Sequence, residues 1–217
     1  MNAVVQIPLQ TTTEQARQLT RLQEVFAQAC NVLAPLVRST RCWNRVALHH
    51  MAYKQLREQF PALGSQMACN AIYSVCRASR HVYQHPSSPF HLQRLSGRSL
   101  PLLRFLPQAP VYFDRHTLSL KAGQASLYTL DGRIRFELGL DPATEKNLRA
   151  HRLREIVLER IGPERFALSF HMAPSTAGPQ PANAAEDGPT DFPEYLLIED
   201  EPAADSPPPA QRVPQTP

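Results

Sequence analysis

The chain has 217 residues, with 23 Lys and Arg against 19 Asp and Glu, which is enough for one good core or two small domains. No run reaches about 18 uncharged apolar residues and MNAVVQIPLQ has no basic start before an apolar stretch, so neither a membrane span nor an export signal is expected, and a cytoplasmic location is. The net charge of +4 hides an asymmetry: residues 1–173 carry 22 cations and 11 acids, whereas the 44 residues from Pro174 carry one cation, eight acids and eleven prolines.

Val4 to Leu9 alternates well enough for one short strand, with Pro8 confining it to a sheet edge or marking its end. Thr11 with Glu14 fits a capping box, and Leu19, Leu22, Phe26, Ala29, Leu33 and Leu36 follow at helical spacing. A long amphipathic helix is expected from 12 to about 34, where Pro35 ends or kinks it. Two more helices are expected in 44–60 and 65–83, joined by PALGS. The first buries Val46, Tyr53, Leu56 and Phe60, with Met51 and Ala52 nearby; the second starts on a Ser65 cap and buries Met67, Ala71, Ile72, Val75, Ala78 and Val82. Both carry arginine on the outer face, so they read as a basic helical hairpin around which the rest is organised.

Gln84 to Pro110 holds five prolines and reads as an irregular basic connector. At Val111 the period changes to two. VYF, TLSLK, SLYTL and RIRFEL read as strands, with Asp131-Gly132 as a type I′ turn. Asp141-Pro142 starts a short helix through Arg149, and LREIVLERI with RFALSFHMA forms a hairpin around Gly162-Pro163-Glu164. The tail is too polar and proline-rich to offset its ordering entropy and is expected to be disordered. Inside it DFPEYLLIEDE, residues 191–201, is an apolar cluster in an acidic run. Such segments dock on a partner; a plain solubilising tail, or one folding back over the basic body, are the alternatives.

The expected order is a first strand in 1–10, a helical domain in 11–85, a basic connector in 86–110, a small antiparallel barrel in 111–173 that the first strand joins, and an acidic tail in 174–217. The fold class is α+β. Cys30, Cys42, Cys69 and Cys76 show no CxxC spacing and are expected to be reduced, mostly buried thiols. His81 and His85, with Cys76 and His91 within reach, have permissible zinc spacing, but half-exposed histidines beside arginine are the plainer reading, and neither metal nor cofactor is expected. Asp114, Asp131, Asp141, Glu155 and Glu159 fall in turns or on strand faces, where solvation or pairing with Arg154 and Arg160 accounts for them. No Walker loop, GxGxxG or GxSxG is present, and no enzyme activity is expected.

The body's net +11 points to a polyanionic partner. Of its 22 cations only Lys54, Lys121 and Lys146 are lysine, and the guanidinium fork suits phosphate and base-edge contact. Arg38, Arg41 and Arg45 flank Trp43; Lys54, Arg57, Arg77 and Arg80 lie on the hairpin; Arg94, Arg98 and Arg104 lie on the connector; and Tyr53 supplies a stacking platform. With Arg115 these are the expected nucleic-acid contacts. Phe192, Tyr195, Leu196, Leu197 and Ile198 are the expected partner-binding residues of the tail.

ACNVL at Ala29, AYKQLRE at Ala52, LGSQMACNAIYSV at Leu63, VYFDRHTLSLK to LYTLDGRIRFEL between Val111 and Leu138, and the closing pair REIVLER and RFALSFHMA together resemble the N-terminal half of the transposon-encoded RNA-guided nuclease TnpB and compact type V CRISPR effectors. The resemblance covers about residues 1 to 173. It implies a wedge barrel with an inserted helical recognition domain that holds a structured guide-type RNA and reads a motif on target double-stranded DNA. Where that family continues into a RuvC-like nuclease, which clusters carboxylates around two metals, this chain enters its acidic tail. The resemblance therefore implies a nuclease-deficient RNA-binding subunit whose tail recruits a separate effector or nuclease. An RNA-independent double-stranded DNA-binding protein or repressor, an assembly subunit of a split effector, and a degenerate transposon remnant are the other readings.

Overall fold

The computed structural model describes residues 3–96, 98–114, 116–121, 123–150, 152–173 and 192–199, and these form an α+β fold with antiparallel sheets. Helix α1 (Thr13–Thr40) starts on Thr12, whose hydroxyl accepts from the Gln15 N–H at 3.2 Å while the Gln15 side chain accepts from the Thr12 N–H at 3.0 Å. The capping box therefore sits one residue after the expected Thr11 and Glu14. Pro35 does not end the helix. It removes one ladder bond from an exposed position, and burial of Leu33, Ala34 and Val37 carries the helix onward to Thr40. The Ser39 and Thr40 hydroxyls donate to the Leu36 carbonyl at 3.0 and 2.7 Å in that last turn.

In α2 (Arg45–Gln59) the Asn44 side chain accepts from the Val46 and Ala47 N–H groups, at 3.0 and 3.1 Å. That cap sets the phase, and the buried stripe is Leu48, Ala52 and Leu56. Val46 and Met51, expected on it, are 66% and 44% exposed. A 3-10 turn, Pro61–Leu63, leads to Gly64 and then α3 (Ser65–Gln84). Gly64, not Ser65, holds the cap position with φ +76, and a Cβ there would stand 2.9 Å from the Tyr128 hydroxyl oxygen. The glycine thus serves both a left-handed backbone and a close approach. The expected stripe of α3 is buried except Ala78, which is half-buried.

The larger sheet has the order β1-β8-β7-β3, made of Ala3–Leu9, Arg165–Ala173, Arg152–Gly162 and Val111–Phe113. As expected, β1 joins the late strands across the helical insert, pairing Ile7 with Leu168, and Pro8 lies in an edge strand. The β7–β8 turn sits at Gly162, Pro163 and Glu164, with Glu164 at φ 53. A second sheet, β4-β5-β6 (Leu118–Lys121, Gln124–Thr129, Gly132–Glu137), ends on a turn one residue earlier than expected. Thr129 pairs with Gly132, which leaves Leu130 and Asp131 as the loop, and the Thr129 hydroxyl donates to the Gly132 carbonyl at 2.8 Å. Asp141 caps α4 (Pro142–Ala150) through the Ala143 and Thr144 N–H groups, both at 2.9 Å. The Thr144 hydroxyl, which donates to the same carboxylate at 2.6 Å, and then the backbone N–H groups hold it below the usual range.

The connector and the tail also depart from expectation. The connector is not wholly irregular, because Leu102–Phe105 is strand β2, anchored where the Asn31 side chain donates to and accepts from the Phe105 backbone at 2.9 and 2.7 Å. Nor is the whole tail disordered: Leu196–Glu199 is strand β9, and it pairs antiparallel with β2 in a third, two-stranded sheet. Tail residues 174–191 and 200–217 lie outside the described residues. Among the described residues the three sheets stay separate and no barrel closes, and no helix is long and apolar enough to cross a membrane.

One apolar core runs from β1 through the three long helices to the sheets, with Phe26, Leu48, Met67, Phe166 and Phe170 fully buried. Burial raises the Cys76 thiol from 9.0 to about 11 and pushes up Cys30, Tyr83 and Tyr112 as well. Because the folded groups hold their protons longer than the unfolded ones, their contribution is complete below pH 9 and is lost as pH climbs through the folded values. The melting temperature is therefore expected to be level from pH 7 to 8.5 and to fall progressively from pH 9.5 to 11. A level profile to pH 11 would contradict this burial.

Candidate nucleic-acid interface

Between residues 25 and 113 the sequence holds ten Lys and Arg and a single acid, Glu58. Nothing local can neutralise that segment, so where the fold sends its cations decides its chemistry. Trp43 and Tyr83 pack ring on ring with centroids 5.4 Å apart. The Tyr83 hydroxyl donates to the Pro101 carbonyl at 2.6 Å, and the Leu92 N–H donates to the Tyr83 carbonyl at 2.9 Å. The end of α1, the α1–α2 turn, the last turns of α3 and the connector meet at these two rings.

The arginines of those four elements converge there. Arg38 donates to the Leu100 carbonyl at 2.8 Å, Arg41 to the Arg98 carbonyl at 3.3 Å, Arg80 to the Trp43 carbonyl at 3.2 Å and Arg94 to the Ser88 carbonyl at 2.6 Å. Arg45 lies 5.5 Å over the Tyr73 ring. A carbonyl fixes a guanidinium without cancelling its charge. Among the described residues none of Arg41, Arg45, Arg80, Arg94 and Arg98 pairs with a carboxylate, and all but Arg80 are exposed. A surface of one half-buried and four exposed guanidinia without carboxylate partners, of which those of Arg41, Arg80 and Arg94 are fixed by carbonyls, is suited to phosphate.

The remaining expected contacts are placed differently. Lys54 is exposed on α2, and Tyr53 is half-buried, stacked on His49 at 4.5 Å. Arg57 donates to the Phe60 and Pro61 carbonyls at 3.4 and 3.3 Å and so closes the end of α2, where a cation also suits the helix dipole. Arg77 is an internal tie. It bonds Glu155 of β7 and lies 5.5 Å over Tyr112 of β3, while the Tyr73 hydroxyl donates to the same carboxylate. Arg104 pairs with Glu199. Arg115 lies outside the described residues.

The tail residues expected to bind a partner are engaged by this chain. Phe192 sits 5.8 Å from both the His81 and the Phe90 rings, the Tyr195 carbonyl accepts from the Leu106 N–H at 2.9 Å, the Tyr195 hydroxyl lies beside that of Tyr112, and Leu196 is buried. Ile198 is half-buried and Leu197 is 45% exposed.

His81 and His85 lie 5.4 Å apart ring to ring, and among the described residues no group of three or more His, Cys, Asp or Glu could hold a metal. The carboxylates have structural duties: Asp114 accepts from the His116 and Thr117 N–H groups, Asp131 pairs with Arg21, and Glu159 accepts from Ser169 and Gln6. Arg160 meets Gln23 and Thr20 instead of a strand carboxylate. Sequence reasoning missed the counter-charges Glu155 and Glu199, which lie 78 and 95 residues from the arginines they meet. It also missed Arg133 and Arg135, although the alternation of RIRFEL places both on the exposed face of β6.

No protein-family model matches the chain, and a search of curated proteins finds no match.

Removing Arg77 would take a cation away from Glu155, whose side chain is 16% exposed. Arg77→Met is expected to cost about 2–3 kcal/mol in urea unfolding, while Arg98→Met, at an exposed site, changes stability by less than about 0.5 kcal/mol. Equal costs for the two would refute the internal role of Arg77.

Proposed function

We propose that this chain is a nucleic-acid-binding subunit that holds a structured RNA on the arginine-rich end built around Trp43 and Tyr83. The observation that carries the reading is the convergence there of arginines fixed by backbone carbonyls, within a segment of ten cations and one acid. Phosphates would replace water around guanidinia that are already placed, and the released counterions would make binding steeply salt-dependent. Exposed His50 and the stacked His49 and Tyr53 on α2 offer ring faces beside Lys54.

The resemblance to TnpB and the compact type V effectors supplies the finer form of this reading. The wedge-like barrel belongs to it, with β1, β8, β7 and β3 as the larger wall and β4 to β6 as the smaller one. So does a guide-type RNA that addresses double-stranded DNA, with cleavage left to a separate protein. The order of elements, a first strand, inserted helices and then antiparallel strands that pair back with the first, is consistent with that arrangement.

Two measurements test the reading. Purification from the native host at moderate and high salt, with sequencing of retained nucleic acid, should recover one dominant, salt-resistant RNA. In vitro, Arg41→Glu/Arg45→Glu/Arg98→Glu should lower affinity for a 30-nucleotide stem–loop RNA at least tenfold and flatten the log–log salt dependence by about 2–3, with an unchanged melting temperature. Unchanged affinity sinks the assignment, and a preference for duplex DNA over RNA in the same assay moves it to a DNA-binding protein.

A further inference from the structure

The acidic tail returns to the basic body at one place. Strand β9 adds to β2 with Leu102 opposite Glu199, Leu103 opposite Ile198, Arg104 opposite Leu197 and Phe105 opposite Leu196. Neither strand has another neighbour among the described residues, and a two-stranded ladder is marginal by itself. It is held by the burial of Leu196, by Phe192 between His81 and Phe90, and by the Tyr112–Tyr195 hydroxyl pair.

The charges at this junction are one-sided. Arg104 belongs to the segment in which Glu58 is the single acid, and its carboxylate comes from the tail, as Glu199. Asp200 and Glu201 follow directly in the sequence. A carboxylate on a guanidinium fills the same fork a phosphate would fill. The segment covers the edge of β2 and the rings of Phe90, His81 and Tyr112, which are groups a nucleotide strand uses for backbone contact and stacking. The pair is exposed, with side chains 56% and 41% accessible, so it is a weak, salt-screened contact. The pair itself therefore offers little resistance to exchange for a polyanion.

Resting on the nucleic-acid reading above, we infer that Phe192–Glu199 is an intramolecular competitor: docked on β2 it occupies Arg104 and the neighbouring rings, and RNA gains that part of the surface when the strand lifts away. The apolar residues provide docking and the acids provide competition. This division explains why an apolar cluster is set inside an acidic run.

The test compares full-length wild type with Leu196→Asp, which puts a charge into the buried anchor, and with Leu103→Cys/Ile198→Cys, which allows a disulfide to lock the two cross-strand partners. Binding of the 30-nucleotide stem–loop RNA is measured across a salt series, and hydrogen exchange of residues 102–105 reports whether the strand is docked. Leu196→Asp should lose protection at 102–105, bind five- to tenfold more tightly at low salt and steepen the log–log slope by about 0.7–0.9, the share of one added phosphate contact. The oxidised double-cysteine protein should bind more weakly than its own reduced form. If the strand is released and affinity and slope equal those of wild type, or if affinity falls, the competition is overturned while the RNA reading stands. If neither wild type nor Leu196→Asp binds RNA at low salt, the RNA reading fails and the competition fails with it. Should Leu196→Asp not fold, the oxidised and reduced double-cysteine forms decide alone, and equal affinities overturn the inference.

Discussion

The Arg77–Glu155 contact is the joint on which the molecule's charge arrangement depends. Arg77 stands on α3, within the acid-poor helical insert, and Glu155 stands on β7, beyond the second sheet. Tyr73 and Tyr112 frame the pair, edge to face at 5.6 Å, which lowers the local dielectric and raises the cost of leaving either charge alone. The insert is thereby tied to the sheet at a defined rotation of α3. That rotation turns Met67, Ala71 and Val75 into the core and sets Arg80, one turn on, beside the Trp43 carbonyl. Of the segment's cations, Arg77 is spent on fastening it and Arg104 meets the tail's Glu199, whereas Arg41, Arg45, Arg80, Arg94 and Arg98 have no carboxylate partner among the described residues.

Much of the fold was legible because its signals are local. The strand runs after Val111, the Asp141 cap and the turn at Gly162 each rest on residues a few positions apart, and they appear where periodicity and capping place them. Other elements were decided by a distant partner or by which of several local signals won. Pro35 reads as a stop until the burial of Val37 is known. Val46 and Met51 look like core residues until the Asn44 cap fixes the phase of α2 and directs them outward. Strands β2 and β9 are short, lie in proline-rich surroundings, and have no periodicity except through each other.

The candidate surface was legible by composition and illegible by geometry. Counting arginines finds the segment, but it cannot separate Arg41 and Arg98, which keep their charge at the surface, from Arg57, which closes a helix, or Arg77, which is paired inside. For Arg57 the difference is made by carbonyls three and four residues on, and for Arg77 by a carboxylate 78 residues away. A carbonyl partner leaves a guanidinium a cation. A carboxylate partner shielded from water, as Glu155 is for Arg77, makes it part of the scaffold.

That distinction bears on how such a surface could bind well. An arginine loses roughly 2 kcal/mol of rotamer freedom when it is immobilised, and a surface of unanchored arginines bears that cost for each phosphate it engages. Here Arg41, Arg80 and Arg94 are already held by main-chain oxygens supplied by the α1–α2 turn and the connector, so part of the cost is met on folding. The five prolines of residues 84–110 then have a physical use, since a connector with restricted φ keeps its carbonyls in place. The irregular segment, more than the helical hairpin, is what organises the cationic end of the molecule.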